Sequence, residues 1–169
     1  MIIDWMIQQI TGFTRQETIQ LTNCTSSRIA YLEKMELIIP TRYGAIGGKP
    51  TVIFSYGQLL GIQAIRELRL EDVPLPTVKR LITFLENASY ADISKDKLLI
   101  AMNDDIFWTQ KDWSDFANNI PKSLKKASKE NKNISWYILI VIPMGDIIDE
   151  IFNTAKKINF QDFQQRITY

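Results

Sequence analysis

From Thr14 to Leu85 the chain punctuates itself as a short helix, a tight turn, a second helix, a glycine-rich hairpin and a pair of helices, and few architectures admit that order. The first helix is TRQETIQL (14–21), the turn TNC (22–24), and the second element TSSRIAYLEKMELIIP (25–40), where Ile29, Leu32 and Leu37 share a helical face. Thr14 with Glu17 three residues on is a capping box, and the hydroxyl of Thr25 is placed to cap the helix after the turn. Two helices joined through so short a turn form the helix-turn-helix pattern, whose second helix reads DNA.

The second helix is expected to end near Met35. The segment LIIPTRYGAIGGKPTVIFS (37–55) carries β-branched runs on both sides of Gly44, Gly47, Gly48 and Pro50, which predicts two strands around a tip. Ser55 caps a helix through about Leu70, with Leu59, Ile62, Ile65 and Leu68 at helical spacing; EDVPLP (71–76) stops it, and TVKRLITFLE (77–86) restarts one with Val78, Leu81, Ile82 and Leu85 on its apolar face. Before the motif, Ile2, Trp5, Met6 and Ile10 predict a short amphipathic helix or arm. From Tyr90 the character changes: KLLIAMN (97–103), Asp104-Asp105 and IFWT (106–109) read as a second hairpin. A lysine-rich helix around 120–131, a strand ISWYILIVIP (134–143) and a helix from about Asp146 to Ile158 follow, while NFQDFQQRITY is open between a short helix and a tail. The expected fold class is α+β, with a DNA-binding domain over 1–88 and a small α+β dimerisation domain over 89–169.

Composition removes several alternatives. One cysteine, Cys24, and no histidine leave no disulfide framework, no usual zinc site and no His-dependent triad. Residues 1–89 hold nine Lys/Arg against eight Asp/Glu, and 90–169 hold eleven against eleven, so only a local cationic surface can meet phosphate. The longest apolar run, Trp136 to Met144, is too short for a bilayer, and MIIDWMIQQI has neither a basic leader nor a cleavage site, so a cytoplasmic protein without membrane contact is expected. The acidic groups Asp104-Asp105 and Asp146, Asp149, Glu150 read as a turn and as charge near a helix start. No enzyme activity, cofactor or metal is expected.

RIAYLEKMELIIPTRYG, then FSYGQLLGIQAIRELRL, then VPLPTVKRLITFL resembles the MerR family of winged helix-turn-helix transcriptional regulators over about residues 13–86. The resemblance lies in the order of parts: Tyr31-x-Glu33, Leu37-Ile38 before Pro40, a wing, a tyrosine-bearing helix start at Tyr56, and two closing helices. It implies a recognition helix whose first turn carries Thr25, Ser26, Ser27 and Arg28 to the major groove, and wing residues Arg42, Tyr43 and Lys49 on phosphate or in the minor groove. Tyr31 and Tyr56 correspond to family tyrosines near the phosphate backbone, and packing between helices is open for both; Lys79 and Arg80 are weaker candidates.

The departures from the family also carry meaning. Ala30 stands where the family has an arginine, with Arg28 half a turn earlier to substitute, and Glu36 stands where the family has a glycine. No long heptad helix follows Glu86 to make the family's coiled-coil dimer, so the candidates for dimer contacts are the 97–109 hairpin, the 134–143 strand and the 146–158 helix, with the N-terminal Trp5 arm as a further element that could clamp against a partner. Lys122, Lys125, Lys126 and Lys129 form a helical stripe, either a solvated face or an extension of the footprint. Cys24 reads as a buried structural thiol, and Trp108, Trp113 and Trp136 read as core. The expected function is a homodimeric repressor on a palindromic operator in double-stranded DNA, without a small-molecule effector; the compact second half is similar to small MerR-type repressors of type V-K CRISPR-associated transposons. An architectural or excisionase-like DNA-bending protein, and an adaptor that has lost DNA binding, are the alternatives.

Overall fold

The computed structural model describes residues 11–44, 47–68, 73–102, 105–119 and 139–167. Within them lie β1 (Phe13–Thr14), α1 (Arg15–Thr22), α2 (Ser26–Lys34), β2 (Thr41–Tyr43), β3 (Thr51–Phe54), α3 (Tyr56–Leu68), α4 (Leu75–Asn87), β4 (Lys97–Met102), β5 (Asp105–Gln110), α5 (Phe116–Asn119), β6 (Leu139–Pro143), α6 (Met144–Lys157) and α7 (Phe163–Ile167). The described strands form two antiparallel three-stranded sheets, ordered β1-β3-β2 and β5-β4-β6, and with seven helices they make a mixed α and β architecture. The expected arm around Trp5, the stripe Lys122 to Lys129, Trp136 and Asp104 lie outside the described residues.

Local chemistry sets the helix ends. The Thr14 hydroxyl accepts from the Glu17 N–H at 3.3 Å while the Thr14 N–H donates to the Glu17 carboxylate at 2.8 Å, the reciprocal capping box the sequence predicts. Ser55 and Gln58 repeat the device at the head of α3, at 3.1 and 3.0 Å. α1 runs one residue further than expected, because Thr22 stays in the last turn with its hydroxyl donating to the Thr18 carbonyl at 2.7 Å, and Asn23 then takes a left-handed φ of 50°. α4 begins at Leu75 rather than Thr77, since Pro76 falls in the first turn, where a missing N–H breaks no helical bond. α6 likewise starts at Met144 rather than Asp146, with Pro143 as its N-cap.

α2 closes in a Schellman arrangement: the Leu37 N–H bonds to the Leu32 carbonyl at 3.0 Å and the Glu36 N–H to the Glu33 carbonyl at 3.0 Å. Leu32 and Leu37 are both buried in the same cluster, completing the motif's apolar contact. Glu36 holds φ at +53°, the conformation that favours the glycine found there in the MerR family. Glu36→Gly is therefore expected to stabilise the chain, by about 0.5–1 kcal/mol, as a rise in the urea midpoint at unchanged slope.

β1 is a strand that the sequence pattern does not predict. It pairs Phe13 with Phe54 and Thr14 with Ile53. Gly12 lets the chain enter this close: its φ is +115°, and a Cβ there would sit 2.6 Å from the Phe54 carbonyl oxygen. The expected hairpin is β2–β3, with Arg42 opposite Val52 and Tyr43 opposite Thr51. The second expected hairpin is β4–β5, running from Lys97 opposite Gln110 to Met102 opposite Asp105. β4 is the buried centre of its sheet, with β6 on its other side.

Two apolar clusters hold the elements together. In one, Ile29, Leu32, Leu37 and Ile38 seat α2 on Ile62, Ile65, Val78 and Ile82 of α3 and α4. In the other, Phe13, Leu21, Leu59, Leu60 and Leu85 of the first half pack with Leu99, Ile142, Met144, Ile147, Ile151 and Phe163 of the second. α6 buries Met144, Ile147, Ile148, Ile151 and Ala155, an i, i+3, i+4, i+7, i+11 stripe. The ambiguous C-terminal segment forms α7, whose Arg166 reaches back to both carboxylate oxygens of Glu17 at 2.8 Å. Of the tryptophans expected in the core, Trp108 is half-buried with its ring 5.5 Å from Phe84. Trp113 departs from the expectation: the turn after β5 gives it φ +63° and leaves it 40% exposed against the edge of Phe116.

Candidate nucleic-acid interface

Burial of Ile29 and Leu32 fixes which side of α2 faces out, and Ser26, Ser27, Arg28, Ala30, Tyr31 and Lys34 are all exposed. At its start, the Thr25 hydroxyl accepts from the Arg28 N–H at 3.2 Å and lies 3.1 Å from the Ser27 hydroxyl. Thr25 thus caps the helix, as its position predicts. Ser26 and Ser27 remain exposed at the same turn.

Arg28 is not a loose side chain. Its guanidinium stands over the Tyr31 ring at 5.4 Å, and Tyr31 is 42% exposed, so the ring supports the charge from one turn further along α2. Tyr31 therefore takes the surface position and not the packed one. On the hairpin, Thr41, Arg42, Tyr43 and Lys49 are exposed, with the Arg42 side chain 60% open. Eight of the nine residues that the sequence nominates, Thr25, Ser26, Ser27, Arg28, Tyr31, Arg42, Tyr43 and Lys49, are thus surface residues of α2, its cap and the hairpin.

The ninth is placed elsewhere. Tyr56 is 8% exposed and packs in the core, its ring 6.3 Å from Tyr90, and burial, aided by Tyr90, pushes its phenol well above the usual range. The apolar surroundings at the start of α3 win over any surface role for the ring. Lys79 and Arg80 line an open depression of about 600 Å³ with Pro76, Thr83, Phe84, Asn87 and Ile106, between α4 and β5.

Below the exposed face lies a charge pair that sequence reasoning missed. Arg15, the first residue of α1, forms an ion pair with Glu33 of α2, and its guanidinium lies 6.0 Å from the Phe54 ring. The Arg42 Nη2 atom is 3.9 Å from the other Glu33 oxygen. Arg15 and Glu33 are 18 residues apart and on different helices, so no periodicity links them. Behind the turn, Cys24 is 6% exposed, as expected for a structural thiol; burial raises its pKa against the opposing charges of Arg28 and Arg66. Arg66 donates to the Thr22 carbonyl at 3.2 Å, placing a cation at the C-terminal end of α1 where the helix dipole favours one.

Among the described residues no group of three His, Cys, Asp or Glu is gathered to hold a metal ion, and no helix is long and apolar enough to cross a membrane. The chain matches no family model and no curated protein.

Proposed function

We propose that the chain is a sequence-specific DNA-binding transcriptional regulator with a MerR-like winged helix-turn-helix head, in which α1 and α2 are the two helices and β2–β3 the wing. The observation that carries this reading is the exposed first turn of α2. Thr25, Ser26, Ser27 and Arg28 stand there in the open, with the wing residues Arg42, Tyr43 and Lys49 also exposed. Hydroxyls and a braced guanidinium at a helix start suit base edges, and cations beside a glycine-containing tip suit the phosphates alongside.

The second half supports a repressor more than a switch. α6 and α7 pack with Phe13 and Leu21 of the first half, so the two halves share a continuous core. A homodimer on a palindromic site follows from the half-site geometry of helix-turn-helix readers.

The test is a mobility-shift titration over a salt series, using duplex from upstream of the chain's own gene and a shuffled duplex of equal length. A salt-sensitive complex that prefers the upstream duplex, containing two chains by light scattering, is expected. No shift at any salt sinks the reading, and equal affinity for both duplexes turns it toward an architectural DNA-bending role.

A further inference from the structure

The carboxylate of Glu33 is placed where a DNA-binding helix has least use for a negative charge. Its side chain is 13% exposed, with Arg15 of α1 on one oxygen and Arg42 of the wing 3.9 Å from the other. That second oxygen is shut off from solvent and accepts no hydrogen bond among the described residues. Desolvating a carboxylate and leaving an oxygen unsatisfied costs stability, so the residue is poorly explained as a fold stabiliser. It also repels phosphate.

What it does is gather two guanidiniums from two other elements against α2. The Arg15 side chain remains 34% exposed and that of Arg42 60% exposed. A guanidinium has five N–H donors, so each can engage Glu33 and still bind an approaching phosphate through the rest of its fork. We infer that Glu33 is a positioning residue for DNA binding: it holds Arg15 and Arg42 as a paired phosphate clamp beside the recognition helix. This rests on the DNA-binding reading above and adds Arg15, on α1, to its footprint.

The opposed roles of charge and geometry give a clean test. A duplex is first selected from a random pool by the wild-type chain, and binding to it and to a random duplex is followed by fluorescence anisotropy across a salt series. Glu33→Gln is expected to lose about tenfold on the selected and the random duplex alike, because a phosphate clamp meets the same backbone at every sequence, with the salt slope falling by about 0.9 for each phosphate that is no longer neutralised. In an Arg15→Ala/Arg42→Ala background the same substitution is expected to cost nothing more, because Glu33 acts through those two residues. Equal gains on both duplexes would make Glu33 a simple repelling charge, and a full loss persisting in the double-alanine background would make it structural; either overturns the inference. If Glu33→Gln fails to fold, Glu33→Asp keeps the charge but shortens its reach, and it must lose affinity for the selected duplex in the same background-dependent way. A wild-type chain that selects no duplex overturns this inference and the function together, whereas wild-type selectivity with an inert Glu33→Gln overturns this inference alone.

Discussion

Phe13→Ala is expected to destabilise the chain by about 3–5 kcal/mol, a midpoint fall of roughly 6–20 °C for a chain of this size. Phe13 is fully buried, pairs with Phe54 across the first sheet, and sets its ring 5.9 Å from Phe160 and 5.6 Å from Phe163 of the second half. Truncation leaves a cavity that Gly12 and the β1–β3 backbone cannot close, because the strand is already fixed by its ladder and by the capping box of the next residue. The destabilisation should therefore reach both halves. In a Trp5→Phe background, thermal unfolding followed by far-ultraviolet dichroism and by tryptophan fluorescence should shift together, since the three remaining tryptophans, Trp108, Trp113 and Trp136, all belong to residues 89–169. Two separate transitions, with only the dichroism moved, would show that the halves unfold independently. Tyr43→Ala on the exposed strand β2 serves as the control and should stay within about 0.5 kcal/mol of wild type.

What is legible in the sequence is whatever is decided within a few residues. Thr14 with Glu17 and Ser55 with Gln58 start their helices by bonds that span three residues, and the stripe Val78, Leu81, Ile82, Leu85 buries as its spacing predicts. The glycine-punctuated hairpin is local in the same sense. β1 is not legible because two residues, Phe13 and Thr14, are too short for an alternation pattern and become a strand only when β3 arrives beside them. Tyr56 shows the limit of a family resemblance: its place at the head of α3 is recognisable, but the burial of its ring depends on Tyr90 and on a second half that the MerR resemblance does not cover. The Arg15–Glu33–Arg42 grouping joins a helix start, a helix end and a strand, and only the folded chain brings them together.

On the DNA-binding function proposed above, Arg28→Ala and Arg42→Ala are expected to damage DNA binding in different ways, and the contrast tests how α2 and the β2–β3 hairpin would read sequence. Arg28 leaves the first turn of α2 with its guanidinium braced by the Tyr31 ring, so little freedom is lost when it meets a base edge. A bidentate contact to guanine discriminates by about 1–3 kcal/mol, so Arg28→Ala should reduce affinity for the preferred duplex by roughly 5- to 150-fold and leave a random duplex nearly unchanged. The preference at one base position in each half-site should vanish when selection from a random pool is repeated with the variant. Arg42 extends from a strand with its side chain 60% open, in reach of a backbone that looks the same at every sequence. Its removal should weaken selected and random duplexes alike and lower the salt slope by about one. If Arg28→Ala instead lowers both affinities equally and the selected motif survives intact, the first turn of α2 touches only phosphate. Under the proposed function, base reading would then fall to Ser26, Ser27 or the β2–β3 hairpin.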